Sequence, residues 1–535
     1  MPLLTVKLGK EERRIPFSAD RSLRDILDAT DVRVRSGCRG MGTCGLCRVR
    51  IEAGEVGVPT PNERLMLDGA ELGQGIRLAC QVLPKQDLRI ELLAPAPKSH
   101  WRSLPDSAGQ YPGRDPLLPL ADLPRGVTNP YGVAVDLGTT HISLSLYELS
   151  GGKWLAGRHG LNPQSRYGSD VMTRLVAASE SPEQAMLLSR QVIEAIHEGL
   201  FDIAVREGIN VGKVVRMVLV GNTAILALLS GRNHGLLLQP KHWMTYVDCL
   251  PENSDAWAGP MGLHPEARIA VLPPLAGFVG SDLLAGVVAT HLTEGGSGGL
   301  FIDFGTNSEI ALWDGRDLWV TSAAGGPAFE GCGISCGAPA EPGAIYRVGF
   351  RDGTFAFEVI ADSEPRGLCG SGLVDLVACL VRSGLLTTRG HFAPTVPVEG
   401  FALARGERDI ILTKRDVDMF QRAKAAIGTG IQVLLARAGM GCEDVRRMCI
   451  GGFFGSFLDS ANAREIGLLP GIAPDRVELC GNTALAGCSD ALLSHAAVER
   501  LRNLGERARL INLSGCSDFD ELFLRNLYLL PMGGA

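Results

Sequence analysis

GVAVDLGTTHISLSLY (132–147) and GLFIDFGTNSEIALWD (299–314) are two versions of one pattern. Each is an apolar β-type run, then Asp-x-Gly-Thr, then a second apolar run. In the first copy Gly138 permits a tight turn and a close backbone approach. Thr139 and Thr140 offer hydroxyls and N–H groups to an anion. Asp136 is placed to hold Mg²⁺, directly or through water, because Mg²⁺ keeps several waters and takes few carboxylates. The second copy repeats the arrangement with Asp303, Gly305, Thr306 and Asn307. One such tetrapeptide could be any hairpin turn. Two copies, each at the head of a strand–helix half, predict two similar lobes with a cleft between them. A third element, MCIGGFFGSF (448–457), runs from an apolar strand into Gly451-Gly452. Glycines there let a flat base or ribose pack on the backbone; a strand-to-helix turn needing positive φ would also place them there.

Four regions follow. Residues 1–93 hold short alternating segments (LLTVKL, DLRIELL), one helical stretch (RSLRDILDAT) and a knot of cysteines. Residues 94–128 are Pro-rich and read as an extended linker. Residues 129–296 form the first lobe, which ends near TEGGSGG (293–299), and residues 297–535 form the second. DVMTRLVAAS (170–179) and VDMFQRAKAAIGTGIQVLLARAG (417–439) carry helical periodicity. Glycine is abundant, 67 of 535 residues, against a typical ~7%, which fits many tight turns and close backbone approaches. The net charge of −7 argues against a nucleic-acid scaffold. The most apolar run, VVRMVLVGNTAILALLSG (214–231), is broken by Arg216 and Asn222, short of the ~18 residues a membrane span needs. The start, MPLLTVKLGKEERR, has no signal-peptide core. The expectation is a cytoplasmic protein that neither spans a membrane nor binds nucleic acid.

Fourteen cysteines without a secretion signal argue against a disulfide framework. Cys249, Cys379, Cys449 and Cys488 are scattered among apolar or glycine neighbours and read as buried free thiols. CRGMGTCGLC (38–47) differs. Its spacing is Cys38-x5-Cys44-x2-Cys47, with a distant Cys80 in RLACQ. Zinc ribbons show paired C-x2-C knuckles, whereas this is one triplet plus one remote cysteine. Four thiolates, three on one glycine-rich loop, suit a two-iron, two-sulfide cluster; zinc and structural thiols are the alternatives. Gly40, Gly42 and Gly45 let the loop curl and free N–H groups for the sulfides. Arg33, Arg35, Arg39, Arg48 and Arg50 flank the knot. They read either as solvated strand faces or as a docking rim for an acidic partner.

On these residues the N-terminal region resembles the β-grasp ferredoxins. Its C-x5-C-x2-C spacing looks like the vertebrate and bacterial branch. The two Asp-x-Gly-Thr hairpins and the glycine pair occur in the order of the phosphate and adenosine loops of actin, sugar kinases and heat-shock chaperone ATPases. That likeness implies ATP binding. There is no P-loop and no G-x-G-x-x-G after a strand. The expected fold is an α+β β-grasp ferredoxin domain followed by an α/β two-lobed actin-like (RNase H-like) ATPase.

The combination resembles the ATP-dependent reductive activators of corrinoid proteins. The matching stretches are NPQSRYGSDVMTRL (162–175), VGNTAILALLSG (220–231), PPLAGFVGSDLLAG (273–286), IDFGTNSEIAL (302–312), SAAGGPAFEG (322–331), GLCGSGLVDL (367–376), QRAKAAIGTGI (421–431) and IGGFFGSFLD (450–459). The resemblance implies a 2Fe-2S cluster on Cys38, Cys44, Cys47 and Cys80, with ATP and Mg²⁺ at the hairpins. It implies a corrinoid-binding protein or corrinoid methyltransferase as partner, an upstream electron donor, and a homodimer through the ATPase region. Inactive Co(II) would be returned to Co(I), and the linker would let the ferredoxin swing. Ser322 is a candidate transient cobalt ligand or a turn residue. The alternatives are an ATP-dependent electron donor to another low-potential iron–sulfur enzyme, a sugar-kinase-like phosphotransferase, for which no catalytic Asp can be assigned, and a redox sensor that binds ATP without hydrolysing it.

Overall fold

Alternating apolar residues build three large sheets along the chain, with two smaller ones of three and two strands. The computed structural model describes all residues except 1, 10, 31, 35–39, 41, 43, 44, 46, 94, 96–99, 105–114, 125, 169, 306, 330–332, 341, 407, 408, 453–456 and 533–535. The first sheet has the order Glu11–Pro16, Leu3–Leu8, Leu88–Leu92, Arg48–Ala53, Ile76–Leu78. Its central pair, Leu3–Leu8 with Leu88–Leu92, is parallel. Helix Leu23–Asp28 is capped by the Ser22 side chain, which accepts from the Asp25 N–H. Leu23, Ile26 and Leu27 of that helix pack with Leu4, Val6, Val49 and Ile90 of the sheet. This is the expected β-grasp ferredoxin.

The other two large sheets share one topology. The first runs Arg268–Val271, Val214–Gly221, Tyr131–Leu137, His141–Glu148, Lys153–Leu161, Arg102–Ser103. The second runs Val477–Gly481, Arg447–Gly451, Gly299–Phe304, Ser308–Trp313, Leu318–Ala323, Ala508–Leu510. In each, the strand ending in Asp-x-Gly-Thr has parallel neighbours on one side and an antiparallel meander on the other. The sequence repeat is therefore a repeat of architecture, the two-lobed actin-like fold. Helices Val171–Ala178 and Lys414–Ala438 fall on the two periodic stretches.

Equivalent helices, Ser281–Ala289 and Thr483–Leu493, lie between the sheets. One core cluster joins both lobes, with Ala134 and Val218 from the first and Phe301, Val320 and Cys449 from the second. The two helices meet at small residues. A Cβ on Gly487 would lie 2.0 Å from the Ala285 carbonyl oxygen, and one on Gly286 would lie 2.7 Å from the Phe301 ring.

The linker departs from expectation. Trp101 is buried in the first-lobe core. Arg102–Ser103 adds an edge strand to Lys153–Leu161. Farther on, Asp115 pairs with Arg500 and the Leu118 N–H donates to the Leu493 carbonyl. Apolar and ionic anchors thus pin parts of a segment whose composition alone reads as a free tether. Cys249, Cys379, Cys449 and Cys488 are buried free thiols. Among the described residues no helix is long and apolar enough to cross a membrane.

Gly487→Ala should force the two central helices apart and destabilise the ATPase region by about 1–3 kcal/mol. Thermal unfolding checks this; an unchanged melting temperature would show that the contact relaxes freely.

Candidate functional site

Both hairpins open into one cleft. Its inner cavity, about 140 Å³, is lined by Asp136, Gly138, Thr139 and Thr140 from the first lobe and Asp303, Gly305, Asn307 and Gly452 from the second. It has room for a metal ion and phosphate groups. Thr306 lies outside the described residues. The first hairpin is held from behind. Asn162 Nδ2 donates to the Gly138 carbonyl (3.0 Å), the Asn162 N–H to the Thr140 carbonyl (2.8 Å), and Arg174 Nη1 to the Thr139 carbonyl (2.6 Å). With three successive carbonyls tied down, the loop presents hydroxyls and N–H groups to an anion.

The glycine pair splits in role. Gly452 lines the cavity at φ +85°, and a Cβ there would lie 2.3 Å from the Phe304 carbonyl and 3.0 Å from Asp303 Oδ1. A side chain would therefore push on the second hairpin rather than on a base. Gly451 does not line the cavity. Its Cβ position faces Thr483 Oγ1 (2.7 Å) and the Phe301 ring (3.0 Å), so its smallness serves helix packing.

Two further carboxylates join the aspartates, Asp282 and Glu309. Burial pushes Asp136 up to about 7 against a hydrogen bond from Asn482, and Asp282 adds to the rise. Burial likewise pushes Asp282 up to about 6. Glu309 lies well above the usual range, from burial first and then from Asp282 and Asp303. Crowded, desolvated carboxylates are what a bound divalent cation relieves, so this set fits Mg²⁺. Ser322 Oγ donates to Glu309 Oε1 at 3.2 Å.

At the ferredoxin, Cys47 Sγ and Cys80 Sγ are 3.4 Å apart. Two thiolates on one tetrahedral metal, each about 2.3 Å from it, stand about 3.8 Å apart, so the pair fits a shared iron. Cys38 and Cys44 lie outside the described residues. The Cys80 thiol is lowered to about 6, first by the Cys47 thiol and then, against burial, by Gln81, Arg24 and the Gly42 N–H. Gly40, Gly42 and Gly45 all have positive φ, as a loop curled around a cluster requires. The arginine rim takes another form. Arg48 pairs with Glu71 and Arg50 with Glu91. Arg33 is buried against Asp202 of the first lobe. Arg35 and Arg39 lie outside the described residues.

Three family descriptions match in order: a 2Fe-2S iron–sulfur cluster binding domain (residues 6–85), the RACo middle region (131–295) and the C-terminal domain of RACo, the ASKHA domain (298–533). The chain is 32% identical over 422 residues to the corrinoid activation enzyme RamQ of Eubacterium limosum, covering 74% of this chain and 70% of that one. It is 26% identical over 438 residues to the [Co(II) methylated amine-specific corrinoid protein] reductase of Methanosarcina barkeri, covering 75% and 78%. A solved structure, a reductive activator for corrinoid, iron-sulfur protein, superposes with a TM-score of 0.69 at 26% identity, covering 99% and 98%. The chain belongs to the RACo family of corrinoid activators. It is an oxidoreductase with a 2Fe-2S ferredoxin domain and an ATP-binding ASKHA domain.

In this RACo-family chain, sequence reading left Asp282, Glu309, Asn222 and Asn482 of the cleft unassigned. A signal existed: GNTA occurs twice, at 221–224 and 481–484. Both asparagines cap the following helix, and Asn482 Nδ2 also reaches across the cleft to Asp136 Oδ2, 2.8 Å away.

Asp136→Asn should raise the stability of nucleotide-free protein at pH 8 by on the order of 1–2 kcal/mol, because the half-buried carboxylate still meets cleft water. The sign follows from the raised value. The unfolded chain loses this proton near 3.8 and the folded one near 7, so this group's penalty grows from pH 4 to 7 and is full above. The variant's advantage should shrink at pH 5, and its melting temperature should gain less from Mg-ATP. Scanning calorimetry at the two pH values checks both; an equal advantage at both would exclude the aspartate's charge as the cause.

Proposed function

We propose that this chain uses ATP turnover in the two-lobed cleft to drive electron delivery from its ferredoxin domain to a corrinoid protein, returning inactive Co(II) to Co(I). The observation that carries the reading is that one chain joins a close cysteine pair in a β-grasp domain to a four-carboxylate cleft between two hairpin lobes. Cys38, Cys44, Cys47 and Cys80 would hold a 2Fe-2S cluster, which supplies one-electron transfer from an upstream donor. Asp136 and Asp303 would hold Mg²⁺, with Asp282 and Glu309 beside them. The N–H groups of residues 138–140 and 305–307 would cradle the β- and γ-phosphates.

The energetics explain why such a task needs an ATPase. For one electron, ~59 mV is a tenfold factor in equilibrium, so an acceptor a few hundred millivolts below its donor is hardly reduced. Binding to the acceptor protein shifts that balance only by differential affinity for its two oxidation states. ATP hydrolysis lets such a complex be released and the cycle run in one direction. In the cleft, turnover depends on positioning and charge. Asn162 and Arg174 fix the first loop, Asn482 orients Asp136, and Gly452 lets the second loop sit close to the glycine strand.

Asp303→Ala should leave the cluster reducible by dithionite but abolish ATP-dependent Co(I) formation, followed by visible absorbance with a corrinoid protein. Cys44→Ala should lose the cluster and electron transfer yet keep ATP binding. Full ATP-stimulated reduction by Asp303→Ala would remove the second hairpin from the nucleotide site.

A further inference from the structure

Among the described residues, a cluster of buried charges joins the ferredoxin to the first lobe. Its hydrophobic core is a closed set of residues from Leu4 to Leu92. Across the boundary, Arg24, Asp28 and Arg33 of the ferredoxin face Arg158, Asp202, Arg206 and Glu207 of the lobe. None of these side chains is more than 9% exposed. Arg24 Nη2 donates to both Glu207 oxygens at 2.9 Å, and Arg33 Nη1 to those of Asp202 at 2.7 and 2.9 Å. Arg158 pairs with both lobe acids, and Arg206 with Asp28.

Two features favour a cationic partner for the two acids of the lobe face. Asp202 and Glu207 lie in the last two turns of helix Pro182–Glu207, where the helix dipole disfavours acids. The ferredoxin face brings two arginines against one aspartate. The interface is also of a kind that can open. Seven desolvated charges lose in hydration about what they gain in attraction, so the net hold is weak even though Arg24–Glu207 and Arg33–Asp202 are bidentate. Cys80 and Gly40 line a cavity of about 520 Å³ together with Arg24, Trp154, Arg158 and Glu207. That is the size of a small-molecule pocket. That space is too small to seat a protein domain.

We propose that the Arg158–Asp202–Arg206–Glu207 face is a reversible docking site for the chain's own ferredoxin domain. The docked arrangement is a parked state that opens when the cluster serves a protein partner. The purpose rests on the electron-relay reading above; the docking does not, and is measured without any corrinoid. The experiment is small-angle X-ray scattering on the full chain with its cluster loaded, comparing wild type, Arg33→Glu, Asp202→Asn and a charge-matched control, Arg13→Glu, on an exposed strand. Wild type and Arg13→Glu should give the compact profile. Arg33→Glu and Asp202→Asn should give a larger radius of gyration and a longer maximum dimension, with an unchanged visible spectrum and unchanged ATP binding. A compact profile for both interface variants, or an extended profile for wild type, overturns the proposal. If the docking variants extend as expected while corrinoid reduction is absent in all four proteins, the functional reading fails and the docking stands.

Discussion

The ATPase region depends on one close approach, that of helices Ser281–Ala289 and Thr483–Leu493, where Gly487 lies against the Ala285 backbone. Asp282 sits in the first turn of one helix and Asn482 caps the other. Their packing brings an acid and an asparagine to one cleft, and Asn482 to the aspartate of the opposite lobe. A methyl group at the crossing would separate the two hairpins. The cleft geometry is thus a consequence of backbone proximity between helices that carry little chemistry themselves.

Two groups of charges behave in opposite ways. In the cleft, carboxylates gather, and burial drives Asp136, Asp282 and Glu309 toward the protonated state. That arrangement costs stability. At the ferredoxin boundary, arginines and acids gather in nearly equal number, so the charges satisfy each other within the chain. The first grouping is suited to take up a ligand, the second to hold one domain against another. Arg24 touches both the second grouping and the cluster loop, since it pairs with Glu207 and lies against Gly40.

The sequence by itself determined the modules and most of the site. Cysteine spacing, the repeated Asp-x-Gly-Thr hairpin and the strand–helix alternation are local patterns, and local patterns survive folding because backbone turns and strand ends need particular residues at fixed spacing. Asp136, Gly138, Thr139, Thr140, Asp303, Gly305 and Asn307 therefore come together as their hairpins predict. Only the tertiary structure decided the rest. Gly451 and Gly452 are neighbours in sequence, yet one packs against a helix and the other lines the cavity. Asp282 joins the cleft from a segment outside either hairpin, and Glu309 joins it from the return strand of the second hairpin, opposite Asp303. Arg33 looks like a surface residue until Asp202, distant in sequence, is brought against it. A Pro-rich stretch reads as a tether until Trp101 finds the first-lobe core. In each case the deciding partner lies far along the chain, and the energy of a buried charge or ring depends on that partner rather than on its neighbours in sequence.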